Sequence, residues 1–193
     1  MPKPIKVTFV LVLTLAVIGI SIFLIKWGVD EVLKIVCPIK YEQIVSKASE
    51  EYGVSKELIY AVINIESGFA EKDVSKAGAK GLMQMTDDTF EWLQTKRGLK
   101  NKMQAYTLFF PETSIDYGTY FLALLMDKYE NEQTALAAYN AGMGNVDKWL
   151  LDKSHSSDGK TLDYIPFKET EKYVSKVAKC KEIYIYLYAK EEA

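Results

Sequence analysis

Residues 55–68 read SKELIYAVINIESG. Ser55 suits an N-cap, because its side-chain oxygen can accept from a first-turn N–H that lacks an intrahelical partner, and Glu57 places a favourable negative charge in that turn. Leu58, Ile59, Val62, Ile63 and Ile65 then form the apolar set of a helix. Glu66-Ser67-Gly68 closes it, glycine being the residue that takes a left-handed C-cap at no steric cost. A strongly apolar helix therefore ends on a carboxyl group, ahead of a loop carrying Gly78 and Gly81. Apolar walls disfavour the ionised form of such a carboxyl and raise its pKa toward the range of a general acid. Glu66 alone also fits a solvated helix-end glutamate.

Helical signals extend outward in both directions. Upstream, Tyr41 to Tyr52 carries Ile44, Val45 and Ala48 on one side and stops at Gly53. Downstream, residues 69–85 hold few periodic apolar positions and read as a structured loop. Thr86 can cap a helix with Asp87 and Asp88 in its first turn, ended by Gly98. Long helices are expected from about Glu112 to Tyr129 and from Glu132 to Ala141, with a short turn from Val146 to Leu151. Lys153 to Gly159 is polar and expected to be mobile. The last segment, Phe167 to about Ala189, contains Ile183-Tyr184-Ile185-Tyr186-Leu187-Tyr188, which alternates like a strand. No partner strand is visible, and Val174, Val177 and Ala178 set a helical phase, so a helix is expected.

The first 40 residues differ in kind. Val7 to Ile25 is a 19-residue run interrupted only by Thr8, Thr14, Gly19 and Ser21. As a helix it would extend roughly 28 Å, close to the apolar thickness of a bilayer. Lys3 and Lys6 precede it and fit a cytoplasmic flank, while Lys26 and Trp27 follow as interface residues and Lys26 partly offsets the charge asymmetry. A cleaved signal peptide and a retained anchor both begin this way. Phe23-Leu24-Ile25-Lys26-Trp27 offers no small-residue cleavage pattern, so a retained anchor is expected, with the rest of the chain outside the cytoplasm. There Cys37 and Cys180 would meet an oxidising environment; a disulfide and two unbridged thiols both remain open.

Composition removes several classes of function. The 193 residues carry 24 Lys+Arg against 26 Asp+Glu, too few positive charges for general nucleic-acid binding. One histidine, His155, excludes zinc sites that need two. Lys3, Lys6 and Lys26 are the only charged side chains in residues 1–26, which leaves 21 basic against 26 acidic residues in the remainder. No metal or organic cofactor is expected.

Beyond Glu66-Ser67, the chain carries Ser75, Gly78-Ala79, Gly81-Leu82-Met83-Gln84, Ala138-Tyr139-Asn140-Ala141-Gly142, and then Ile165-Pro166-Phe167-Lys168-Glu169-Thr170 with Tyr173. This ordered set resembles the SLT-type (family 1) lytic transglycosylases over about residues 40–185. The resemblance implies an all-α, lysozyme-like helical domain at 40–193, behind a segment 1–39 made of a cytoplasmic stub, a transmembrane signal anchor and a short connector. It implies Glu66 as the catalytic acid and then base. Ser75, Gln84, Tyr139, Glu169 and Tyr173 fall at its substrate-binding positions, with the Tyr139 hydroxyl beside the carboxyl and Glu169 and Tyr173 lining the same cleft. Met83 is expected to pack, and Asn140 to fix backbone. The chain departs from the family's pattern at Ala70-Glu71-Lys72 and at Asp87, where proline is frequent. Trp92 and Trp149 are expected to pack, and His155 to be inert.

The implied substrate is the glycan strand of peptidoglycan, cut between N-acetylmuramic acid and N-acetylglucosamine with formation of a 1,6-anhydro end, by an enzyme held in the bacterial cell membrane as a single-pass protein. Glu71, Asp73, Asp87 and Asp88 are the nearby candidates for a second acid, and all four read better as solvated loop or helix-start charges. A hydrolytic muramidase on the same scaffold and a non-catalytic wall-binding module are the rival readings. Endo- or exo-cleavage, stem-peptide preference and protein partners have no sequence signal.

Overall fold

A computed structural model describes residues 4–188, which divide into two compact units, one ending at Pro38 and the other beginning at Ile39. In the first, α1 runs from Pro4 to Val36. The helix thus continues past the apolar run that ends at Ile25 and takes in Lys26, Asp30, Glu31 and Lys34. Its stretch Phe9–Val36 has a mean hydropathy of 2.6, long and apolar enough to cross a membrane. Its apolar side chains are bare, with Phe9 69% and Ile25 68% exposed. Lys3 and the expected helix end at Ala189 lie outside the described residues.

The second unit is helical. Its elements are α2 (Glu42–Tyr52), α3 (Lys56–Ser67), α4 (Asp87–Lys96), a 3₁₀ turn (Ala105–Phe109), α5 (Pro111–Tyr129), α6 (Glu132–Ala141), α7 (Met143–Leu151) and α8 (Lys168–Tyr188). Side-chain caps set several boundaries. Ser55 accepts from Leu58 N–H at 3.3 Å, Thr86 from Thr89 N–H at 3.3 Å, and Asn131 from Thr134 N–H at 2.9 Å. Each cap satisfies a donor that the helix itself leaves open. Gly53 and Gly68 close α2 and α3 in the left-handed conformation, at φ 69° and 56°.

The core helix α3 packs chiefly on α8 and also on α2; α5 packs on α2 and α6, and α6 on α7 and α8. Leu58, Ile59, Val62 and Ile63 are buried as expected, and Tyr60 and Ala61 join them. Ile65 is only half-buried. The Ile183–Tyr188 segment is helix: Tyr173, Val177, Cys180, Tyr184 and Leu187 are buried at three- and four-residue spacing. Tyr184 stacks on Tyr60 with ring centroids 5.3 Å apart, which joins α8 to α3. Arg97 fastens the end of α4 to α5, pairing with Asp116 at 2.6 Å and lying 4.1 Å from the Tyr117 ring centroid.

Two expectations are corrected, and one element is new. α7 begins at Met143 rather than Val146. The 3₁₀ turn at 105–109 carried no sequence signal. The polar segment after α7 is tied down: Asp152 Oδ1 accepts from Ser154 N–H at 2.8 Å, Asp158 Oδ1 accepts from Lys160 and Thr161 N–H at 2.7 Å each, and Ser157 N–H donates to Asp163 at 2.7 Å. Short aspartate side chains organise the turns there. Within it His155 stacks on Tyr164, and Trp149 meets Phe167 edge-on at 4.9 Å.

Residues 69–85 fold without regular elements, held by two isolated antiparallel bridges, Val74–Lys80 and Lys80–Met85. Two glycines allow this loop to lie close on its neighbours. A Cβ on Gly81, at φ 75°, would stand 2.0 Å from the Leu108 carbonyl oxygen. A Cβ on Gly118 of α5 would stand 2.7 Å from Met83 Cβ and 2.3 Å from its sulfur. Met83 is fully buried, so it has nowhere to retreat. Gly118→Ala is therefore expected to destabilise the domain by about 1–3 kcal/mol through overpacking. A denaturant midpoint lowered at unchanged slope will show it.

Candidate active site

The last turn of α3 delivers Glu66 into a cavity of about 590 Å³. The walls come from five further segments. Ser75, Lys76, Ala77, Ala79, Gln84, Met85 and Thr86 belong to the loop, Thr89 to α4, Phe121 to α5, and Tyr139 and Asn140 to α6, with Glu169 at the start of α8. Residues more than 100 positions apart in the chain thus share one cleft.

The turn Gly81–Gln84 is the floor, and three helices hold it. From α3, the Ser67 hydroxyl donates to the Leu82 carbonyl at 2.9 Å. From α5, Ser114 Oγ accepts from Met83 N–H at 3.1 Å. From α6, the Tyr139 hydroxyl donates to the Met83 carbonyl at 2.8 Å. Gln84 sits at φ 46°, a left-handed conformation uncommon for a side chain of its size. Its amide Nε2 donates to the Gly81 carbonyl at 3.0 Å and the Asp73 carbonyl at 3.2 Å. That leaves Gln84 Oε1 as the group it can offer a ligand. Ser75 is fixed within a tight turn, where its Oγ accepts from Ala79 N–H at 3.0 Å.

Burial pushes the Glu66 carboxyl up from 4.5 to about 7. The Tyr173 hydroxyl opposes this in part by favouring the ionised form. It is buried close to Glu66, with no hydrogen-bond partner among the other described residues. Burial, and then the negative charge of Glu66, holds the Tyr139 and Tyr173 phenols well above their ordinary value, so both keep their protons. Tyr139 has committed its proton to Met83 and shows Glu66 only lone pairs. Tyr173 has an uncommitted proton for a carboxylate.

The cleft collects Glu66, Ser75, Gln84, Tyr139 and Glu169 among the residues singled out from the sequence. Tyr173 does not border the cavity; it is 7% exposed and stands behind Glu66. Asn140 was expected to fix backbone; instead its Oδ1 accepts from the side-chain hydroxyl of Thr170 at 2.8 Å, and the residue borders the cavity. Glu169 is exposed in the first turn of α8, where the helix dipole favours its charge. Of the other acids, Glu71 accepts from Tyr41 at 2.8 Å, Asp87 pairs with Lys80, and neither they nor Asp73 and Asp88 border the cavity. Sequence reasoning missed Lys76, Thr89 and Phe121, and it gave Ser67 no role. Thr86 had been read only as a cap. Phe121, set edge-on to Trp92 at 6.1 Å, looked like ordinary core. Among the described residues no cluster of three His, Cys, Asp or Glu could hold a metal.

Comparison with known proteins matches residues 43–162 to the transglycosylase SLT domain. The membrane-bound lytic murein transglycosylase C of Serratia proteamaculans is 39% identical over 116 residues, covering 55% of this chain and 32% of that protein. The soluble lytic murein transglycosylase of Salmonella typhimurium is 30% identical over 158 residues, covering 81% of this chain and 24% of that one. Among solved structures, an inactive mutant of the lytic transglycosylase Slt of Pseudomonas aeruginosa superposes with a TM-score of 0.70 at 29% identity, over 80% of this chain and 25% of that one. A 70-kDa soluble lytic transglycosylase in complex with bulgecin A gives 0.71 at 27% identity, with the same coverage. The chain therefore spans about a quarter to a third of the length of these four proteins. A domain match over more than half of the chain, agreeing with the helical fold and with the cleft at the end of α3, makes this protein a member of the SLT transglycosylase family.

Proposed function

We propose that the chain is a membrane-anchored lytic transglycosylase that cuts peptidoglycan glycan strands between N-acetylmuramic acid and N-acetylglucosamine. The observation that carries this reading is Glu66, a carboxyl group raised to about 7 at the wall of a cleft large enough for sugars. The names of the relatives support the same chemistry.

Protonated Glu66 gives its proton to the glycosidic oxygen as the bond from the anomeric carbon of the muramic acid breaks. The sugar's own 2-acetamido oxygen supports the electron-poor carbon. Glu66, now ionised, accepts the proton of the same sugar's 6-hydroxyl, whose oxygen closes on the anomeric carbon. The proton returns to Glu66, no water is consumed, and the product is a 1,6-anhydro sugar. Nucleophile and electrophile belong to one residue, so a high effective molarity stands in for a second catalytic group. Tyr139 suits the first half of this cycle and Tyr173 the second, because only Tyr173 has a proton to offer a carboxylate. Ser75, Gln84 and Glu169 line the path of the strand.

A hydrolytic muramidase is the second reading, favoured by one observation: Glu169 places another carboxyl on the same cavity. Many glycosidases use two carboxyl groups and water. The exposure of Glu169 at the rim, against the burial of Glu66, favours the single-acid scheme.

Segment 1–39 supplies the anchor in this proposal and 40–193 the catalytic domain. The bare apolar helix Phe9–Val36 and the lysines ahead of it support a single span with the catalytic domain on the cell-wall side.

Glu66→Gln keeps shape but loses the proton, and should reduce turnover by at least about 10²-fold with helical content unchanged. Incubation of full-length protein with purified wall material, followed by mass analysis, should give products one water lighter than hydrolysis would. Reducing ends alone would establish the muramidase. Wall binding without release of fragments, unchanged by Glu66→Gln, would establish a non-catalytic module.

The raised carboxyl also links stability to pH. Between about 4.5 and about 7 the folded protein holds a proton at Glu66 that the unfolded chain has released, so stability falls as pH rises through that window. The loss is on the order of 3 kcal/mol, and Glu66→Gln should remove this part of the slope. Melting temperatures of both forms across that range measure it. Tyr173→Phe removes the group that favours ionised Glu66, so the alkaline limb of the kcat–pH profile should move to higher pH. An unmoved limb would show that Tyr173 only packs.

A further inference from the structure

Lys76 is the one cationic side chain among the described residues that border the cleft. It occupies the second position of the turn Ser75–Gly78, which is closed by Gly78 N–H donating to the Ser75 carbonyl at 2.9 Å. A second backbone bond, Ser75 N–H to the Ala79 carbonyl at 2.9 Å, and the Ser75 Oγ contact with Ala79 N–H at 3.0 Å fix the base of that turn. A well-fixed backbone thus carries an exposed lysine at the cleft wall.

Lys76 has no ion-pair partner among the described residues, a property shared with Lys47, Lys148 and Lys168, and its place on the cleft wall sets it apart from them. Lys80 pairs with Asp87, Arg97 with Asp116, Lys128 with Asp147 and Lys181 with Glu132. No carboxylate among the described residues lies within ion-pair distance of Lys76, although the chain after residue 26 has 26 acids for 21 bases. A cation left unpaired on an acidic molecule, at the wall of its main cleft, is available to an incoming anion.

We infer that Lys76 selects for a carboxylate carried by the glycan strand, which rests on reading the cleft as a glycan-cleaving site. Two parts of such a strand present this chemistry: the lactyl carboxyl of a muramic acid without peptide, and the terminal carboxyl of an attached peptide. Neutral sugar hydroxyls go to Ser75 and Gln84; Lys76 reads charge. It touches no reacting atom, so its effect falls on binding and KM, with kcat left unchanged.

The test uses the full-length protein with Lys76→Glu, Lys76→Ala and Lys76→Arg. Turnover is followed with Glu66 intact, and binding by co-sedimentation in the Glu66→Gln background. Substrates are peptide-free strands and peptide-bearing strands, each before and after conversion of carboxyls to amides. Lys76→Glu should raise KM and weaken binding by about fivefold to tenfold on the carboxylate strands, with less loss in high salt. Lys76→Ala should fall between, Lys76→Arg should match the parent, and amidation should abolish the differences. The strand type that shows the effect identifies the carboxylate. Equal KM and binding for all variants, or a loss that survives amidation, overturns the inference. Absence of any released product from the parent with binding intact overturns the glycan-cleaving reading instead, and the binding series still decides Lys76. Absence of binding by every form overturns both.

Discussion

Suspension of the Gly81–Gln84 turn from three helices is the constraint on which the rest of the domain depends. Ser67, Ser114 and Tyr139 each use one side-chain oxygen to hold one peptide group of the turn. Each bond satisfies a backbone group that the absence of regular structure in residues 69–85 would otherwise leave open. The same bonds fix Glu66 from both sides, since Ser67 is its neighbour in the chain and Tyr139 its neighbour in space. Tethered this way, the turn and the Glu66 carboxyl are positioned by the fold itself.

The cost of this arrangement is visible in Glu66 itself. A carboxyl among apolar walls, with Tyr139 offering only lone pairs, is held in its neutral form at the expense of stability above neutral pH. In the proposed reaction the same feature would suit an acid that gives up a proton and takes one back within a single turnover. The destabilisation at Glu66 is offset by the packing of α3 on α8 and by the caps that begin α3, α4 and α6.

Much of the fold was legible because its boundaries are chemical. Ser55, Thr86, Gly53 and Gly68 mark helix ends through hydrogen bonds and backbone conformations that are local to a few residues. Where the sequence had no such marker the reading slipped, as with the 3₁₀ turn at 105–109 and the early start of α7. Ile183–Tyr188 shows tertiary packing deciding between two local periods: Tyr184 seals against Tyr60, and the turn-by-turn burial from Tyr173 to Leu187 leaves no room for a strand. The site was legible as a set of motifs, and the cleft does collect Glu66, Ser75, Gln84, Tyr139 and Glu169. Tyr173 stands behind the carboxyl because it lies one helical turn beyond Glu169, deeper in the core. Phe121 and Thr89 had no signal, since each looks ordinary on its own helix and reaches the cleft only through packing.

Gly118 and Met83 share one volume, with 2.7 Å between the Met83 Cβ and the place where a Cβ on residue 118 would stand. Neither position can enlarge alone, because the space taken by one is the space lost to the other. In evolutionary terms the two sites form a single character: because the Met83 Cβ itself stands in the way, a side chain at 118 requires glycine at 83 or a shift of the backbone there. Either change would loosen the peptide group to which Tyr139 is bonded. Variation in the interior of α5 is thus held back by the chemistry of the cleft, through a glycine that touches no substrate.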